Sequence, residues 1–125
     1  MDLAEFLFRK AEGNAKAACL LAGNAEMDDQ PVWYHAQQAV EKWINAVMAS
    51  RGLPEEPTHD LGRLVEVLVE AHIEAPPRAD SLDYLSSFFV QQCCDEPFDG
   101  EPLDREAVVT MVAEVGDWAG RFVEL

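Results

Sequence analysis

Residues 31–50, PVWYHAQQAVEKWINAVMAS, decide the fold class of this chain. At ~100° per residue, Val32, Ala36, Ala39, Val40, Trp43 and Val47 fall within one arc of about 120°, the signature of an amphipathic helix that buries one face. Asp28 and Asp29 stand just before it as candidate caps, and Pro31 suits a first turn, where its missing N–H is no loss. The helix should therefore start near Pro31. Gly52, Pro54 and Pro57 then end it, because a proline-rich linker cannot continue the i to i−4 ladder.

Working outward, the stretch from Leu3 to Met27 repeats apolar residues three or four apart at Leu3, Phe6, Leu7, Ala11, Ala18, Leu21 and Ala25. This predicts a long amphipathic helix before the central one. Downstream, Thr58 or Asp60 can cap a third helix carrying Leu61, Leu64, Val65, Leu68 and Val69, which Pro76 and Pro77 would stop. A fourth is signalled by Leu82, Leu85, Phe88 and Phe89 after a capping Asp80 or Ser81. A last helix should run from Asp104 with Val108, Met111, Val112, Val115, Trp118, Ala119 and Phe122 on one face. No segment shows strand alternation. The expected fold is all-α: an up-and-down antiparallel helical bundle of four main helices plus a short one, forming a single domain over residues 1–125.

Composition agrees with a packed domain and narrows its partners. The 125 residues are 49% hydrophobic, and folding at this length hides roughly two-thirds of the unfolded surface. Nine Lys and Arg against 24 Asp and Glu give a formal charge of −15, a field that repels phosphate. Non-specific nucleic-acid binding and attachment to anionic membranes are therefore disfavoured. The opening MDLAEFLFRKAEGNAKAA holds no apolar run of signal-peptide length and no window approaches a membrane span, which gives the expectation of a cytoplasmic protein. Cys19, Cys93 and Cys94 are an odd count with two adjacent, so they build neither a disulfide framework nor a C-x-x-C motif.

Beside its apolar arc the central helix carries a polar line, His35, Gln38, Lys42 and Asn45, within about 80° of one another. Such groups can converge on a ligand or form a solvated flank. His35 and His59 lack H-E-x-x-H or related spacing, so no metal site is expected. Asp95 and Glu96 next to Cys93 and Cys94 oppose thiolate formation. The acids from Asp80 to Asp104 do not match the EF-hand spacing, and no glycine-rich phosphate loop is present. No cofactor is implied.

One string exceeds composition. Tyr34-His35-Ala36-Gln37-Gln38-Ala39-Val40-Glu41-Lys42-Trp43, then Gly52-Leu53, then Thr58-His59-Asp60-Leu61, resembles the signature of HEPN domains (higher eukaryotes and prokaryotes nucleotide-binding). The resemblance implies a helical bundle, commonly a homodimer, often paired with a minimal nucleotidyltransferase as a two-gene toxin–antitoxin system. It also implies a nucleotide as a candidate ligand. Many members are metal-independent RNases that use an Arg followed four to six residues later by a His near the end of the fourth helix. Here no Arg is followed by a His at that distance, and where related proteins of this subtype usually show an Arg-Tyr pair before a proline this chain reads Gln91-Gln92-Cys93-Cys94-Asp95-Glu96-Pro97. The expected function is thus a non-catalytic or weakly active HEPN protein, with no catalytic residues assigned. Its candidate ligand- or partner-binding residues are His35, Gln38, Lys42, His59, Asp60 and Gln92. An RNase using non-standard residues such as His35, His59 and Lys42, and a helical interaction module, are the alternatives.

Overall fold

Three aspartates open helices by the same local chemistry, a carboxylate accepting from a backbone N–H that has no partner inside the helix. The computed structural model describes residues 2–82, 84–85 and 102–123. In it Asp2 accepts from Glu5 N at 2.8 Å to begin α1 (Leu3–Ala22). Asp60 accepts from Arg63 N at 3.3 Å to begin α3 (Leu61–Glu70), and Asp104 from Ala107 N at 3.0 Å to begin α4 (Arg105–Gly120). The central helix, α2 (Asp29–Ser50), starts two residues before Pro31, and Asp28 flanks it without making a side-chain capping bond. A 3₁₀ turn covers Ala79–Ser81. The fold is an all-helical bundle, with no strand among the described residues.

Helix directions follow from which ends meet. The start of α1 (Asp2, Leu3, Ala4) lines one groove with the end of α2 (Ala49, Ser50) and with Phe122 and Val123 beyond α4. At the opposite end Arg105, the first residue of α4, reaches the last carbonyls of α1 and the first residue of α2. α1 is therefore antiparallel to both α2 and α4, which run in like direction. Small residues let α1 and α2 approach closely, with Ala4, Ala11 and Ala18 buried on one and Ala36, Ala39 and Ala46 on the other. Ile44, Met48, Leu61, Leu64, Leu68, Leu82 and Trp118 fill the core around them, each burial contributing about 1.5 to 3 kcal/mol.

Two helix ends differ from the sequence expectation for backbone reasons. α1 stops at Ala22, short of Met27, because the chain turns at Gly23 and hands its terminal carbonyls to Arg105. That guanidinium donates to Leu21 O, Ala22 O, Asn24 O and Met27 O, and its Nε lies 2.8 Å from Asp29 Oδ1. A cation there also complements the negative end of the α1 dipole. α3 ends at Glu70, well before Pro76. His72 takes a left-handed φ of 60°, Ile73 N returns to Leu68 O at 2.9 Å and His72 N to Val69 O at 3.0 Å. This is the paired-bond terminus usually built on glycine, as Gly52 (φ 76°) builds it after α2 through Leu53 N to Met48 O and its own N–H to Ala49 O. The fourth helix expected over Leu82–Phe89 lies mostly outside the described residues, though Leu82 and Leu85 are both buried.

Candidate binding site

The linker between α2 and α3 doubles back along α2 instead of leaving it. Its proline-rich backbone makes no helical ladder, so its polar groups need side-chain partners. Three α2 residues spaced one turn apart supply them. Asn45 Oδ1 accepts from Glu56 N at 3.1 Å while its amide donates to Glu41 O at 3.1 Å. Gln37 Nε2 donates to His59 O at 2.7 Å. Between them the Glu41 carboxylate receives His59 Nδ1 at 3.0 and 3.1 Å. Because a carboxylate only accepts, that contact places the proton on Nδ1 and fixes the tautomer. Gln37, Glu41 and Asn45 are all buried, whereas the His59 side chain remains 60% exposed.

The polar line read from the helical wheel divides in this arrangement. Lys42 Nζ donates to Gln38 Oε1 at 3.2 Å, and Gln38 Nε2 reaches Glu41 Oε2 at 3.4 Å, so Lys42, Gln38, Glu41 and His59 form one connected chain. His35 turns the other way and pairs its Nδ1 with Asn14 Oδ1 of α1 at 2.9 Å. Asn45 belongs to the linker clamp. Asp60 is the α3 cap, its own N–H taken by Thr58 Oγ1 at 3.1 Å. Gln92 lies outside the described residues. Glu41, which the polar line of the helical wheel leaves out, is the buried hub. The sequence signal for it was the row Gln37, Glu41, Asn45 at i, i+4, i+8, facing a linker that needed partners.

The match that settles kinship runs from residue 4 to residue 122: the family model of the HEPN domain covers nearly the whole chain. This chain belongs to the HEPN domain family. HEPN domains are a nucleotide-binding and RNase-type family. No curated protein and no solved structure matches the chain significantly. The geometry accounts for much of the HEPN string in this chain without any ligand: Ala36 and Ala39 are fully buried in the core, Gln37 and Glu41 hold the linker, Thr58 and Asp60 shape the start of α3.

What the site offers chemically is an oriented imidazole on a buried carboxylate, with one ammonium linked to that carboxylate through Gln38. Cationic support is sparse. All nine Lys and Arg lie among the described residues, and five of the six arginines sit in ion pairs with carboxylates: Arg9 with Glu12, Arg63 with Glu66, Arg78 with Glu114, Arg105 with Asp29 and Arg121 with Glu74. Arg63, beside the linker, is held further in its charged form by its bond to Glu66, with Glu70 and Glu56 adding to the effect. Among the described residues no group of three or more His, Cys, Asp or Glu is placed to hold a metal ion, and no helix is long and apolar enough to cross a membrane.

Proposed function

We propose that this HEPN chain is a binding or regulatory protein and not an RNase of the family's Arg/His type. It acts as a homodimer beside a minimal nucleotidyltransferase partner, in the manner of a toxin–antitoxin pair, and takes a nucleotide or that partner along the Lys42, Gln38 and His59 line. The observation that carries this reading is the state of the cations. No Arg is followed four to six residues later by a His, and five of the six arginines are committed to carboxylates. A phosphodiester transition state gathers negative charge that mobile cations must meet. The purified protein should leave structured and single-stranded RNA intact in EDTA, and Lys42→Ala should weaken nucleotide or partner binding measured by calorimetry. Unchanged affinity in Lys42→Ala would return this line to a solvated flank.

One observation favours the second reading, an RNase built on non-standard residues. Glu41 orients the half-exposed His59 ring as a carboxylate orients a catalytic imidazole. Cleavage in EDTA that vanishes in His59→Ala would establish that reading and overturn the first.

A further inference from the structure

α1 carries two apolar stripes, and among the described residues the core is built on one of them. Ala4, Leu7, Phe8, Ala11 and Ala18 are buried in the core. On the opposite side Leu3, Phe6, Lys10, Gly13, Ala17 and Leu20 recur at alternating intervals of three and four, the 3.5-residue period of a helix–helix seam. Leu3, Phe6 and Leu20 are 52%, 47% and 77% exposed, which accounts for three of the chain's large exposed apolar side chains. The Lys10 ammonium folds over the Phe6 ring at 5.5 Å, and the space beside Gly13 is open.

The order of these residues is self-complementary on reversal. Pairing the stripe antiparallel with a copy of itself sets Leu3 against Leu20, bulky Phe6 against small Ala17, and the Lys10 stem against Gly13. All three pairings share one twofold axis between Ala11 and Glu12. The charges obey the same axis. Along one flank Glu5, Arg9, Glu12 and Lys16 alternate in sign, so reversal brings Glu5 within two residues, about 3 Å along the axis, of the copy's Lys16, and Arg9 equally near its Glu12. Net charge points to the same face. From Asp2 to Ala22 the chain holds three acids and three cations, so the whole formal charge of −15 resides elsewhere and this helix by itself adds no net repulsion between two copies.

We propose that the outer face of α1 is where a second copy of this chain docks, antiparallel, about a twofold axis between Ala11 and Glu12. The inference rests on the homodimer of the proposed function and specifies its surface. A twofold interface repeats each contact, so one substitution acts twice. Sedimentation equilibrium of the full chain tests it, with circular dichroism to verify that each variant keeps its helices. Leu20→Lys, at a residue that takes no part in the core, should raise the dimer dissociation constant by about 100-fold or more. Glu5→Lys should raise it by about fivefold, and the exchange Glu5→Lys with Lys16→Glu should restore it, a rescue that requires the two residues to meet across copies. A wild-type dimer indifferent to both Leu20→Lys and Glu5→Lys would overturn this face and leave the homodimer standing. A wild-type chain that stays monomeric at high concentration would overturn both.

Discussion

Trp43 and Glu41 stand two residues apart on α2, are almost equally buried, and are held in opposite ways. Trp43 is 5% exposed and is secured by shape. Its indole fits where Gly116 of α4 leaves no side chain, since a Cβ there would lie 2.6 Å from Cη2 and 2.8 Å from Cζ2, and it tilts against Phe8 of α1 at 6.1 Å between ring centroids. Glu41 is 8% exposed and is secured by polar contacts to a linker whose histidine is open to water. Close packing gains nothing from rearrangement, whereas a hydrogen bond to an exposed imidazole exchanges readily with water for little net cost. Stability is concentrated on one face of α2 and adaptability on the other.

The most severe way to break this contrast is Trp43→Ala. It empties a site shared by three helices and should lower unfolding stability by about 3 to 5 kcal/mol in denaturant titration. A nearly unchanged midpoint would remove shape as the basis of that face. A sharper test adds volume instead of removing it. Gly116→Ala improves helix propensity, yet its methyl must displace the indole ring, so stability should fall by about 1 to 3 kcal/mol. Trp43→Phe in the same chain should recover part of that loss, because the smaller ring vacates the clash; a double-mutant cycle measures the coupling. On the polar side the smallest effect is expected. His59→Ala removes the Nδ1 contact with the Glu41 carboxylate from a ring that is 60% exposed and should cost about 0.5 to 1.5 kcal/mol, while amide exchange in the linker around Glu56 to His59 accelerates. A loss as large as that of Trp43→Ala would make the linker part of the core and erase the distinction between the two faces.

The apolar half of α2 was legible because burial follows period. Val32, Ala36, Ala39, Val40, Trp43 and Val47 are the residues the wheel gathered, and all are buried. The polar half was legible only as a list of groups. His35 and Gln38 look alike on the wheel, but Asn14 of α1 claims the first and Lys42 the second. Nothing local to α2 decides between a neighbour on another helix and one a turn away. Arg105 was invisible for the same reason: its carbonyl partners lie about 80 residues upstream, at |i−j| values of 78 to 84.

The sequence alone determined the all-helical class, the aspartate-capped start of α4, and, through the string from Tyr34 to Leu61, the HEPN family, because periodicity, capping and motif spacing are local properties that the chain carries into any context. Only the tertiary structure decided that Glu41 is a buried hub, that the linker folds back to bring His59 onto it, that Gly116 makes room for Trp43, and that Arg105 closes α1. Each of these pairs groups distant in sequence across a packed interface, and which partner a polar or bulky side chain finds there depends on helix direction and register, which no local pattern encodes.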